Sequence, residues 1–101
     1  MFKNEFADRL SKLRLEKGVS ARYMSLSLGQ NPGYINNIEN GKALPSMSVF
    51  FSICDFLNIS PSEFFDIEND NPEKIGEVVD DLKKLNKEQL DNIAKLIKGL
   101  I

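Results

Sequence analysis

The chain has 101 residues, of which 42% are hydrophobic and 28% are charged, and its formal net charge is −2. This length makes one small domain with or without a tail, and neither a bilayer-spanning run of ~18 apolar residues nor a secretory signal is visible. With no histidine and a single cysteine, Cys54, the chain lacks the usual general base, catalytic triads, disulfide pairs and multi-cysteine metal sites. We therefore expect a cytoplasmic protein that is not an enzyme, takes no metal, cofactor or small-molecule ligand, and buries Cys54 as a small hydrophobe.

The first two helices are predicted by apolar spacing and by the residues at their ends. Apolar residues three or four positions apart predict the first helix, and they are Phe2, Phe6, Leu10 and Leu13. Gly18 is a predicted left-handed cap after this helix, and Ser20 is a predicted N-cap of the second. The second helix carries Met24 and Leu28 on one face and ends at Gly29.

Three more helices are predicted in the first two thirds of the chain. Asn31 as N-cap and Pro32 in the first turn predict a third helix over residues 32–40. Its apolar residues are Tyr34, Ile35 and Ile38. Ser46 is predicted to cap a fourth helix. The capping box of Ser60 and Glu63 predicts the start of a short fifth helix. Since no segment alternates apolar and polar residues as a strand does, the fold is expected to be all-α.

The last third of the chain is predicted to be a separate helical hairpin. Residues 1–66 are assigned to a first domain, the polar and acidic residues 67–71 to a linker, and residues 72–101 to the hairpin. Asn71 and the capping box that begins at Asn86 mark the starts of its two helices. The apolar residues of the sixth helix are Ile75, Val78, Val79, Leu82 and Leu85.

Residues 21–40 have the internal spacing of a helix-turn-helix unit. Two short helices joined by a three-residue turn pack at a steep angle, so the point of closest approach needs a small residue. Ser25 meets that need, and Gly29 provides the positive φ that the turn requires. The shared apolar seam would consist of Met24, Leu28, Ile35 and Ile38.

The stretch from about Phe6 to Asp66 resembles the lambda-repressor-like, xenobiotic-response-element-type helix-turn-helix regulators of bacteria and their phages. The most specific part of the resemblance is the segment Ile35-Asn36-Asn37-Ile38-Glu39-Asn40-Gly41-Lys42, together with Arg14, twenty-five residues before Glu39. The resemblance implies a five-helix domain that binds operator DNA through its third helix.

An ion pair between Arg14 and Glu39 is expected from the resemblance and from their positions beside apolar residues of the first and third helices. A bidentate pair of arginine and carboxylate would pin the third helix to the rest of the domain. The alternative is that Arg14 and Glu39 are two unrelated solvated charges.

The resemblance also implies which residues contact DNA. It gives Asn31, Gly33, Tyr34, Asn36 and Asn37 as base-reading residues and Asn40 and Lys42 as phosphate-binding residues. Ser20 and Arg22 are also expected to bind phosphate, because they lie at the start of the second helix, where free N–H groups and the helix dipole favour an anion. Asn36 and Asn37 are the main candidates, since an asparagine amide bonds adenine bidentately, although exposed asparagines are also ordinary helix-surface residues. Tyr34 either contacts DNA or packs on the domain. Many relatives carry Gln at position 21 and at positions 32–33, where this chain has Ala21, Pro32 and Gly33.

The charge distribution favours DNA binding by the first half only. Residues 1–50 carry a net charge of +3 and residues 51–101 a net charge of −5. A polyanionic partner is therefore expected to meet the first half. With so few basic residues, we expect contacts to about three to five phosphates per protomer and a shallow dependence of affinity on salt.

The hairpin has an apolar face too large for two isolated helices. We expect the last helix to pair with the same face of a second chain, through Leu90, Ile93, Leu96, Ile97, Leu100 and Ile101. A homodimer of this kind would bind a near-palindromic duplex with half-sites about 34 Å apart. The alternative is that the hairpin docks on its own first domain.

Two functions are compatible with this sequence. The favoured one is a sequence-specific transcription regulator, a repressor, that binds double-stranded DNA. The other is a protein-interaction adaptor, such as an antitoxin or a regulator-binding protein, that uses the same fold without strong DNA binding. Acidic pairs such as Asp80 and Asp81 are expected to be solvated helix residues.

Overall fold

The structure, a computed structural model, describes residues 3–101. In this part of the chain all regular structure is helical, and the helices are α1 (Lys3–Lys17), α2 (Ala21–Ser27), α3 (Tyr34–Glu39), α4 (Met47–Leu57), α5 (Pro61–Phe65), α6 (Pro72–Leu82) and α7 (Lys87–Leu100). The all-α prediction is confirmed. Phe2, the first residue of the predicted apolar stripe, lies outside the described residues.

Most helix starts are set by the local capping bonds that the sequence indicates. Ser20 and Ser46 accept hydrogen bonds through their side chains from the backbone N–H groups three residues later. Ser60 and Glu63 form a complete capping box, and Asn86 forms another with Gln89. These bonds satisfy N–H groups that have no partner inside the helix.

The third helix begins later than predicted. It runs over Tyr34–Glu39 with Gly33 as its N-cap, whereas Asn31 and Pro32 precede it. The reason is local: Oδ1 of Asn31 accepts a hydrogen bond from the N–H of Gly33 at 3.1 Å, and this turn holds residues 31–33 outside the helix. The predicted helix over residues 32–40 was therefore wrong at both ends.

The core lies among α1, α2, α3, α4 and α5. Three phenylalanine rings occupy one side of it, with ring-centre distances of 4.9 Å for Phe6 and Phe64 and 5.2 Å for Phe50 and Phe64. The other buried apolar side chains include Leu10, Leu13, Met24, Ile35, Ile38, Ile53, Cys54 and Leu57. Burial, together with the charge of Asp55, raises the pKa of the Cys54 thiol to about 11, as expected of an inert cysteine in a core.

The two C-terminal helices extend the molecule to 50 × 23 × 23 Å. Pro72 is buried at the start of α6. Most apolar side chains farther along the tail are exposed, whereas Leu82, Leu85 and Ile93 are half-buried. Leu96 is 65% exposed and Leu100 is 86% exposed. Within the described residues, no helix combines the length and apolar character needed to cross a bilayer.

Candidate nucleic-acid interface

The second and third helices are joined through one buried serine. Ser25 is fully buried, and its hydroxyl donates a hydrogen bond to the carbonyl of Ala21 at 2.7 Å. The same oxygen accepts a hydrogen bond from the N–H of Ile35 at 2.9 Å. Sequence reasoning required only a small residue at this position. The structure adds that Ser25 satisfies one of the free N–H groups at the start of α3 and so fixes that helix against α2.

The turn between these helices depends on a left-handed residue. Gly29 has φ +73°, and the N–H of Gln30, next in the chain, donates to the carbonyl of Ser25 at 3.0 Å. A Cβ at position 29 would meet no atom within 4 Å. The requirement for glycine is therefore one of backbone conformation and not of space.

Arg14 and Glu39 join the first helix to the end of the third. Nε of Arg14 lies 2.7 Å from Oε2 of Glu39, and the Nη2 group of Arg14 donates to Oε1 at 2.9 Å. Nη1 donates to the carbonyl of Val19 at 2.8 Å. The side chains of the pair are only 13% and 9% exposed. The hydrogen bond from Glu39 raises the pKa of Arg14, burial opposes this shift, and the charge of Glu39 adds to it.

The outer surface of α3 carries amide side chains. Asn36 and Asn37 are exposed, and Asn31 and Gly33 are exposed just before the helix. No hydrogen bond connects the side chains of Asn36 and Asn37 to any other residue among 3–101, so their donors and acceptors are available to a partner. Tyr34 is half-buried against the core, and burial raises the pKa of its hydroxyl.

The residues expected to bind phosphates lie at the start of α2 and just after α3. Ser20, Arg22, Asn40 and Lys42 are all exposed. Neither Arg22 nor Lys42 forms an ion pair with a residue of the described chain. The hydroxyl of Ser20 already accepts from the N–H of Tyr23 at 2.9 Å, so its own O–H is the group left to donate.

The electrostatics of this surface suit a polyanion. Glu39 is the only acidic residue between positions 17 and 54, and Arg14 neutralises it. The basic side chains at positions 22 and 42 therefore face no neighbouring uncompensated carboxylate in this stretch. In this stretch of sequence, the exposed amides of α3 are therefore accompanied by Arg22 and Lys42 and by no uncompensated acidic residue.

Sequence reasoning missed one buried charged residue of this domain, Arg9. It is 3% exposed and bonds to backbone carbonyls on and beyond α5. Its only signal in the sequence was a charged residue next to the apolar stripe of α1, at Leu10.

Comparison with known families agrees with this geometry. The profile of the helix-turn-helix family HTH_3 matches residues 10–64, which is more than half of the chain. No curated protein and no solved structure matches it. The matched segment contains α2, α3 and the ion pair that joins α3 to α1, and members of the family are generally not enzymes. The chain therefore belongs to the lambda-repressor-like helix-turn-helix family of DNA-binding transcription regulators.

Proposed function

We propose that this protein is a sequence-specific transcription repressor that binds a near-palindromic DNA duplex as a homodimer. The observation that carries the proposal is the exposed amide surface of α3, which has free hydrogen-bonding groups and is held by buried contacts on its inner side. A reading helix needs both properties, because its side chains must reach base edges without losing their geometry.

Base reading is assigned to Asn36 and Asn37, with Asn31, Gly33 and Tyr34 at the edges of the contact. An asparagine amide can bond adenine bidentately: its N–H group donates to N7 and its Oδ1 accepts from the N6 amino group. Each such pair is worth about 1–3 kcal/mol of discrimination against a wrong base. The backbone at Gly33 can approach the duplex closely because no side chain intervenes.

Phosphate binding is assigned to Ser20, Arg22, Asn40 and Lys42. Ser20 and Arg22 lie at the start of α2, whereas Asn40 and Lys42 directly follow α3. Contacts of this kind position a protein on the duplex and carry no sequence information. Contacts to about three to five phosphates per protomer, and so to about six to ten per dimer, correspond to a slope of about −5 to −9 for log K of the dimer against log salt.

Dimerisation is assigned to the tail, with a second copy of this chain as the partner. The proposed contact residues are Leu90, Ile93, Leu96, Ile97, Leu100 and Ile101. Ile97 is 47% exposed and Ile101 is 94% exposed, which is unusual for an apolar stripe on an isolated soluble chain. Residues 72–101 carry six acidic and six basic side chains. Two tails therefore meet without net repulsion, as an isologous contact requires.

Selection from a pool of random duplexes tests this function. We expect the full chain to enrich a two-fold-related sequence, and fluorescence anisotropy on that sequence to show the salt slope given above. Binding that does not respond to salt, together with no enriched sequence, would show that the protein is an adaptor and would refute the proposal.

A further inference from the structure

The buried guanidinium of Arg9 closes the end of α5. Its Nε donates to the carbonyl of Phe64 at 2.6 Å, and Nη2 donates to the carbonyl of Glu63 at 2.9 Å. These carbonyls belong to the last turn of α5, where carbonyl groups lack partners within the helix. The negative end of the helix dipole also lies here. The charge of Arg9 is therefore stabilised by main-chain oxygens.

The third bond of Arg9 reaches beyond the helix. Nη1 donates to the carbonyl of Asn69 at 3.0 Å, in the segment that leads to α6. One planar side chain on α1 therefore holds both the end of α5 and the chain that leaves it. The five donors of an arginine lie in a fixed plane, so the three carbonyls are set in position relative to each other.

Further contacts hold the next residues of the chain. Lys12, one turn after Arg9 on α1, forms an ion pair with Asp70. Oε1 of Glu73 accepts from the side-chain amide of Asn58 at 3.2 Å, and Oε2 of Glu73 lies 3.9 Å from Nζ of Lys17. The first turn of α6 is thus bound to the end of α4 and to Lys17 of α1, and Asp70, just before α6, is bound to Lys12 of α1.

Gly76 brings α6 against α5. A Cβ at position 76 would lie 2.5 Å from Oε2 of Glu63. Oε1 of Glu63 accepts a hydrogen bond from the N–H of Ser60 at 2.9 Å in the capping box of α5, so this carboxylate has little freedom to move away. The absence of a side chain at Gly76 is what allows the second turn of α6 to approach α5 this closely.

We infer that residues 66–76 form a rigid junction and that Arg9 is the positioning residue that sets the half-site spacing this protein accepts. The inference rests on the proposed dimer, because the tail then joins two reading helices. If each tail leaves its domain in one fixed direction, the distance and rotation between the two α3 helices are fixed as well.

The geometry of DNA makes this spacing selective. One added base pair moves a half-site by about 3.4 Å along the duplex and rotates it by about 35°. A flexible tether would accommodate both changes with little loss of binding affinity, because the entropic cost of bringing its ends together rises slowly with its length. A rigid junction cannot follow the rotation, so one protomer would lose its contacts.

The test uses the selected operator and four derivatives whose half-site spacing is changed by one or two base pairs in either direction. For the natural chain, we expect each change of spacing to weaken binding at least tenfold. For Arg9→Gln, we expect the same dimer by light scattering and the same affinity for a single half-site. Each change of spacing should weaken operator binding by Arg9→Gln less than threefold. The control Lys83→Gln makes the same change of charge at an exposed site directly after α6 and should keep the natural spacing preference.

A second variant covers the case in which Arg9→Gln does not fold, as judged by circular dichroism. Insertion of three glycines between Asp70 and Asn71 leaves the bonds of Arg9 in place but releases α6. We expect it to lose the spacing preference while it keeps half-site binding.

The outcomes separate this inference from the proposed function. If the natural chain binds no DNA or is a monomer, the proposed function fails. If it binds as a dimer but tolerates all five spacings, or if the insertion variant keeps the natural preference, only the rigid junction is wrong.

Discussion

Removal of the Glu39 carboxylate is the sharpest test of how the reading helix is held. Glu39→Ala takes away two charge-assisted hydrogen bonds, of 2.7 and 2.9 Å, and leaves Arg14 with its bond to the carbonyl of Val19. Bonds to charged groups contribute about 1.5–3 kcal/mol each, and breaking one partner of a buried pair costs about 3–5 kcal/mol. Because both side chains keep slight exposure to water, we expect a loss of about 3 kcal/mol.

Urea denaturation measures this loss. For a small protein, unfolding free energy falls by about 1–3 kcal/mol per molar urea, so the midpoint should drop by about 1–3 M. Glu68→Ala removes an exposed carboxylate outside the helices and should leave the midpoint within a few tenths molar. Replacement of both partners, Arg14→Met with Glu39→Leu, should recover most of the loss, since no unpaired charge remains. If Glu39→Ala unfolds at the same urea concentration as the natural chain, the ion pair does not hold α3 and the reasoning fails.

Three further outcomes are expected. Ser25→Ala leaves the buried N–H of Ile35 without its acceptor and should lower the unfolding free energy by about 1–3 kcal/mol in the same urea assay; an unchanged midpoint would contradict this. With its pKa raised to about 11, Cys54 should have about 100-fold less thiolate at pH 8 than an ordinary thiol with a pKa of 9, and its reaction with a disulfide reagent should accelerate as pH rises towards 11. Complete reaction in the mixing time at pH 8 would show that the thiol is accessible. Truncation of residues 87–101 should give a monomer by light scattering, and an unchanged dimer would place the interface elsewhere.

Local signals in the sequence were enough to locate most helix starts. Ser20, Ser46 and Ser60 cap through side chains that bond residues three positions away, so the determining contacts lie within a few residues of sequence. The apolar seam could be predicted equally well, because helical spacing places residues such as Met24 and Ile35 on inner faces. The start of α3 was misplaced by two residues and its end by one. The start could not be predicted because Asn31 can cap a helix or close a turn, and the composition does not distinguish the two.

Contacts between distant parts of the chain could not be predicted from the sequence in the same way. Arg9 bonds to carbonyls 54, 55 and 60 residues away. Since every residue has a backbone carbonyl, the residue types do not show which carbonyls will accept these bonds. The close approach at Gly76 depends on the direction in which α6 leaves α5, which a composition typical of a linker does not reveal. The pairing of Arg14 with Glu39 could be expected only because a family resemblance supplied the partner.

The central claim is that the amides of α3 read bases. It is tested most directly by anisotropy titrations of Asn36→Ala and Asn37→Ala against the selected operator and against an unrelated duplex of the same length. Asn92→Ala, at an exposed position of α7, is the matched control. The account predicts a loss of about 5- to 150-fold on the operator for each α3 variant, unchanged binding to the unrelated duplex, and no effect of the control. Equal affinity of the natural chain and both α3 variants for the operator would contradict it.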